Sequence, residues 1–488
     1  MNDLGQRIAR LSPEKRALLV QRLAPLSFAQ QRIWMLEQSQ PGSLFYKTEV
    51  SLHLNGALNI GALEQSLTEV FRRHEALRTV FPIIDGQPLQ MVTPAQPLHL
   101  PVIDLTHLAV EAQQAETQRM INALNREVFD LEGGPLWRMQ LVKLSEGEHV
   151  MVLVVHHLVF DGWSRGVLTR EVGVLYSAYM KGEPSPLPEL PMQYGAYARW
   201  QRESLSGEIL DQQVRYWLEQ LEGELPELEL PGDHPRPAVT THRGAVQTLE
   251  ISRDLAQQVK ALSRREGVTV FMTLLAAFQA LIYCYTREPD FIVGTPVSGR
   301  HRAGTPALVG CFVNIITVRT RLTGNPTFRT LLAQTRKLTV EALANQDLPF
   351  ASLLEKLWPG QPLGSYGIRN GRKLFRVMLD YSLVGPRKVG PTSSSLQISV
   401  PEVGETLTGL DFYIAVAESE DGIFGTVTCS RDLFDEDTIT GMRKDFERVL
   451  SRCVEDPDEE ILNIPVSLAR TLPLGQPALS NQIEGGQL

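Results

Sequence analysis

Val150-Met151-Val152-Leu153-Val154-Val155-His156-His157-Leu158-Val159-Phe160-Asp161-Gly162 is the stretch on which the reading of this chain turns. Its first six residues are all apolar, four of them valine. Such a run predicts a buried strand. Asp161 and the turn-former Gly162 close it, so an imidazole is presented at the strand tip. Histidine has the unperturbed pKa nearest neutrality, which makes this a place for a general base. Successive strand residues point to opposite faces, so at most one of His156 and His157 can enter a given cavity. A strand-end histidine also has ordinary structural uses, and spacing alone does not separate the two.

Outward from this point the chain alternates sheet and helix. Residues 136–144 pair with 149–157 across Ser145-Glu146-Gly147, and 164–180 leaves as a helix. Upstream lie a helix at 27–38, a strand at 46–54, a helix at 60–74, a hairpin turning at Asp85-Gly86, and a helix at 111–129. Two Pro-rich passages, 183–191 and 225–237, flank a helical stretch at 194–221. Together they read as a crossing between two lobes. The second half repeats the mixture: helices at 255–267, 269–285, 327–346 and 437–455, with strands at 291–296, 312–321, 377–381, 411–418 and 422–430. The expected organisation is α/β, with a linker helix at 1–23, an N-terminal lobe at 24–190, a crossing at 191–240, a C-terminal lobe at 241–470 and a disordered tail at 471–488. Two such lobes share a cleft, a common ligand site.

The 488 residues suffice for two sizeable cores. A formal net charge of −9 with no Lys/Arg block lacks the electrostatic footprint of a nucleic-acid binder. Cys284, Cys311, Cys429 and Cys453 are far apart, without metal-ligand spacing. Buried reduced thiols are expected, which suits the cytoplasm. The start of the chain is broken by charges and has no signal-peptide core. The most apolar run, 268–285, contains Thr269, Thr273 and Gln279 and reads as a buried helix, not a membrane span.

Six motifs in order resemble the condensation domains of nonribosomal peptide synthetases. They are Ser27-Phe28-Ala29-Gln30-Gln31-Arg32, Arg73-His74-Glu75-Ala76-Leu77-Arg78, the histidine stretch continued by Trp163-Ser164, Tyr194-Gly195-Ala196-Tyr197, Val309-Gly310-Cys311-Phe312-Val313-Asn314, and Asn345-Gln346-Asp347-Leu348-Pro349-Phe350. The resemblance spans about residues 26–460. A seventh motif departs from the family form Arg-Asp followed by Ser-Arg-Asn-Pro-Leu. Here it reads Ile368-Arg369-Asn370-Gly371-Arg372-Lys373-Leu374-Phe375, which leaves room for an unusual acceptor.

The resemblance implies two chloramphenicol acetyltransferase-like lobes in a V-shaped pseudo-dimer, with a tunnel between them and the histidine motif midway. It implies transfer of an acyl or peptidyl group from a phosphopantetheine thioester on a carrier protein to an amine or hydroxyl acceptor. The phosphopantetheine arm is then substrate, with no tightly bound cofactor and no metal. A monomer is expected, with no nucleic-acid or membrane partner. His157 is implied as the catalytic residue, and His156 as a locally bonded one. Asp161 either orients His157 or forms a buried ion pair. The resemblance favours the pair, with Arg300 or Arg78 as partner. Gly162 serves backbone conformation or close approach of the thioester. Ser164 reads as a helix cap. Trp163, Trp200 and Asn314 are assigned to the tunnel wall, while Gln30, Arg32 and Trp34 read as packing. The rivals are a small-molecule O-acyltransferase and a non-catalytic carrier-docking module, whose known examples typically lose the active histidine.

Overall fold

The computed structural model describes residues 12, 23–39, 46–360, 368–369, 372–383, 396–399, 405–419 and 422–468. The described chain begins β1 (Ala24–Pro25), α1 (Phe28–Ser39), β2 (Lys47–Gly56), α2 (Ile60–Arg73), β3 (Thr79–Val80), β4 (Ile83–Ile84), β5 (Gln87–Val92) and β6 (Val102–Asp104). It continues α3 (Val110–Arg126), β7 (Trp137–Ser145), β8 (Glu148–His156) and α4 (Gly162–Tyr179). Helices α5 (Tyr194–Ser204) and α6 (Gly207–Gln220) form the crossing. The second half runs β9 (Arg243–Ile251), α7 (Arg253–Glu266), α8 (Val270–Thr286), β10 (Asp290–Val297), β11 (Asn314–Arg321), α9 (Phe328–Ala344) and α10 (Phe350–Leu357). It ends β12 (Ile368–Arg369), β13 (Arg372–Lys373), β14 (Val377–Leu383), β15 (Leu396–Ser399), β16 (Glu405–Leu407), β17 (Phe412–Ser419), β18 (Gly422–Ser430) and α11 (Glu436–Glu455).

Among the described residues the N-terminal sheet has the order β15-β2-β8-β7-β6, and the C-terminal sheet the order β11-β10-β14-β17-β18-β9-β16. β8 is central in its sheet, flanked antiparallel by β2 and β7. That position explains its sequence: every residue from His149 to His156 is buried. The first half packs its own core against α2 and α4, and the second packs another around α7, α8, α9 and α11. α8 is the expected buried helix, with Thr269 as its N-cap, accepting from the Met272 amide. No single described helix is long and apolar enough to cross a membrane.

The division at residue 240 is not kept by the backbone. β15, from the second half, pairs antiparallel with β2 of the first. Val309 and Cys311 belong to the N-terminal core. A strand of four residues such as β15 is too short for its alternation to be read, and its partner is set by tertiary contact. Residues 1–11 and 13–22 of the expected linker helix, the expected tail, and Asn370-Gly371 of the seventh motif lie outside the described residues.

Candidate active site

The backbone of His157 leaves β8 by donating its amide to the Tyr46 carbonyl at 2.7 Å. Its side chain is partly exposed, whereas that of His156 is buried. The alternation of the strand thus separates the two rings. His156 accepts the Leu158 amide on Nδ1 at 3.1 Å, so its proton sits on Nε2, 3.7 Å from Glu37 Oε2. Phe129 packs edge-on against that ring. His157 has the opposite tautomer. Its Nδ1 lies 3.0 Å from the Phe160 carbonyl oxygen, which can only accept, so Nδ1 carries the proton and Nε2 presents a lone pair. The Thr48 hydroxyl stands 3.2 Å from each ring nitrogen. Burial pushes the His157 pKa down to about 4, against a raising effect of the Phe160 carbonyl; the His156 ring and the Arg32 guanidinium lower it further. The ring is therefore neutral at physiological pH.

Asp161 does not touch His157. It is the N-cap of α4, and its Oδ1 accepts from the Ser164 amide at 2.8 Å and the Ser164 hydroxyl at 2.7 Å. Arg300 Nη2 donates to Oδ1 at 2.8 Å and to Oδ2 at 3.0 Å, and the Phe312 amide donates to Oδ2 at 3.1 Å. Both charged groups are almost fully buried. Of the two candidate partners, Arg300 reaches Asp161. Arg78 instead donates to the carbonyls of Thr93 and Arg72 and lies near Glu75. It holds the entry to β3, because it belongs to the same turn. Ser164 is not the cap itself. It sits in the first turn, accepting the Gly310 amide at 3.0 Å.

The segment 309–312 of the second half completes the junction. The Val309 amide donates to His74 Nδ1 at 3.2 Å, and the Tyr194 hydroxyl donates to the Cys311 carbonyl. Glycine is required at two points. A Cβ on Gly310 would fall 2.2 Å from the Tyr194 ring. One on Gly299, at φ +63, would fall 2.2 Å from the Phe312 carbonyl oxygen. Gly162 is different: its φ is not in the left-handed region, and a Cβ there meets nothing within 4 Å. Backbone conformation is therefore not its reason. Open space beside it is consistent with close approach by a reactant. Cys311 is no nucleophile, since burial pushes its thiol pKa up to about 12.

A small open cleft lies where α1, α5 and the second half meet. Phe28, Arg32, Phe312, Asn314 and Asp347 are among its lining residues. Arg32, which reads from sequence as packing, is thus a cleft residue close enough to disfavour the imidazolium of His157. Its signal is the break that a cation makes on an otherwise packed helix face. Gln30 does pack, donating to the Leu158 carbonyl at 2.9 Å. Asn314 lines the cleft, but its amide donates to the carbonyls of Gln346 and Leu348 and accepts the Phe350 amide. It shapes the wall without offering a donor to a ligand. Trp163 is 42% exposed and donates to the Pro306 carbonyl of the opposite half. Trp200 does not line this cleft and packs under the Arg302 guanidinium. No cluster of metal ligands occurs among the described residues.

The profile of the condensation domain matches residues 20–468. This chain belongs to the condensation-domain family. The chondramide synthase cmdD of Chondromyces crocatus is 37% identical over 440 residues, 90% of this chain but 11% of that protein. The phosphinothricin tripeptide synthetase PhsC of Streptomyces viridochromogenes is 34% identical over 492 residues, 96% of this chain and 44% of that protein. The condensation domain thus spans less than half the length of either synthetase. The X-domain from teicoplanin biosynthesis, solved in complex with OxyB, superposes with a TM-score of 0.77 at 28% identity, covering 91% of this chain and 96% of that one. The SgcC5 protein from Streptomyces globisporus, solved with an aryl ethanediol, gives 0.72 at 27% identity, covering 89% of this chain and all of that one. The two-lobed α/β fold expected from the resemblance is the fold of this condensation domain.

Proposed function

We propose that this condensation domain is catalytic. It joins an acyl or peptidyl group, delivered as a phosphopantetheine thioester on a carrier protein, to an amine. The observation that carries this reading is the neutral His157 ring, its Nδ1 proton committed to Phe160, which makes Nε2, 3.2 Å from the Thr48 hydroxyl, the nitrogen that can accept a proton. A thioester is already activated, so no enzyme nucleophile is needed, only placement of the acceptor and removal of one proton. The incoming neutral amine donates an N–H to Nε2, which aims its lone pair at the carbonyl carbon. The C–N bond forms, and the nitrogen of the tetrahedral adduct, now positively charged, is acidic enough to lose its proton even to a weakly basic imidazole. Collapse breaks the C–S bond, and the leaving pantetheine sulfur takes up a proton. Asp161 and Arg300 position the loop that carries the imidazole and take no part in proton transfer.

Single-turnover incubation with acyl-loaded carrier and an amine acceptor, followed by mass spectrometry of the carrier, tests the proposal. Acyl transfer well above the buffer rate is expected from the native chain and its loss from His157→Ala. Equal rates in the two would overturn it. Two observations support narrower rivals. SgcC5 was solved with a diol, which supports an alcohol acceptor and ester product. The X-domain was solved with a partner enzyme, which supports recruitment without chemistry. Recruitment, however, has no use for a tautomer-fixed imidazole whose Nε2 can accept a proton. Product formation with amine but not alcohol separates the first rival, and partner binding without turnover would favour the second.

A further inference from the structure

One carboxyl group in the C-terminal sheet has no part in the reaction described above. Asp380 lies on β14 two residues beyond the Gly294–Met378 pair and is paired with Ala415 of β17. Val377 and Leu379 point into the helix-covered core. Asp380 therefore points the other way, on the face of Met378 and Tyr413, which pack with Phe350 and Phe375 beneath the cleft. The Tyr413 hydroxyl donates to its Oδ2 at 2.9 Å. Among the described residues no cation pairs with it, and burial raises its pKa with only that hydroxyl opposing.

The register sets a row of residues beside this group. Asp380 pairs with Ala415, Ala415 with Thr426, and Thr426 with Thr248. All four are only partly buried, and the three beyond Asp380 are small. β10, parallel to β14, ends at Val297, and the chain then turns through Gly299 to Arg300, the partner of Asp161. Asp380 is bonded to Tyr413 and to none of the groups that hold the imidazole loop, so it suits a reactant's side chain and not its reacting nitrogen.

We propose that Asp380 recognises a positively charged side chain, an amine or a guanidine, on one of the two amino-acyl reactants. A partly buried carboxylate without a counter-charge gains from pairing, and a cation arriving beside these small residues supplies that partner while Tyr413 orients the other contact. A neutral side chain of equal length brings no such gain. This inference rests on the condensation reading.

Competition between ornithine-type and norvaline-type pantetheine thioesters tests it, with the charged residue placed in one arm on the donor and in the other on the acceptor. The native chain is expected to favour the charged reactant by about 10-fold or more in kcat/KM in one arm only. Asp380→Asn should collapse that ratio to near unity, and Tyr413→Phe should reduce it. No preference in either arm, or a preference that survives Asp380→Asn, would overturn the proposal. Binding of the same thioesters, followed by ligand-detected NMR, reads the preference without turnover. Absent turnover with a preference lost in Asp380→Asn therefore sinks the catalytic reading and upholds this one.

Discussion

Residues 156–162 of the first half and residues 309–312 of the second meet at the lobe junction and are built in opposite ways. The first stretch follows directly from a buried strand and ends in a helix cap, so its geometry is local. The second has no regular structure and is held by side chains of the other half, with His74, Ser164, Asp161 and Tyr194 each taking one of its backbone groups. The first presents an imidazole whose Nε2 is its proton-accepting nitrogen. The second presents backbone groups tied to side chains. In the proposed reaction, reactivity and fixation are divided between residues four apart, His157 and Asp161.

The comparison breaks first at His157. His157→Ala should lower single-turnover transfer by about 10²- to 10⁴-fold while far-UV circular dichroism keeps its native shape. A normal rate would place the chemistry elsewhere. Asp161→Ala should do the reverse, because it leaves Arg300 buried without a counter-charge. A loss of about 3–5 kcal/mol in urea unfolding is expected. The double variant Asp161→Asn with Arg300→Met should recover part of it. A stable but inactive Asp161→Ala would move Asp161 to the chemistry.

Gly162 sharpens the boundary between the two roles. Gly162→Ala has room for its methyl and starts a helix, so thermal stability should hold or rise slightly. Transfer should nevertheless fall by about 10- to 100-fold if a reactant passes there. Undiminished transfer would remove Gly162 from the reactant path.

The smallest effect is in pH. The folded pKa of His157, about 4, is below the ordinary value of 6.5. Its neutral form is thus fully favourable to folding above pH ~6.5, and that contribution is lost as pH falls toward 4. His156 is shifted the same way. Urea midpoints at pH 7 and pH 5 should therefore differ less in His157→Asn than in the native chain, without becoming equal. The rate with amine acceptors should show no His157 inflection between pH 5.5 and 8, and its rise should follow the acceptor's own deprotonation.

Much of this is legible in the sequence because strong local signals carry it. The valine-rich run of β8, the Thr269 cap of α8 and the Pro-rich flanks of the crossing each depend on neighbours in sequence. Where the sequence misleads, the outcome depends on residues far apart. Arg78 and Arg300 look alike in sequence, and only the return of the chain at 298–300 brings the second to Asp161. Arg32 reads as packing because its cleft is made by segments far apart in the chain. Gly162 and Gly310 cannot be told apart until the surroundings of each Cβ are known.

Local pattern alone established that a buried strand delivers two histidines to opposite faces, within an α/β chain of two halves. Periodicity and turn chemistry are short-range, so they survive without coordinates. Which proton each ring carries and which arginine ties the loop came only from the folded chain. The tautomers follow from backbone groups two and three residues on that the turn brings to each ring, and the ion pair from an arginine 139 residues away, whose identity no local pattern encodes.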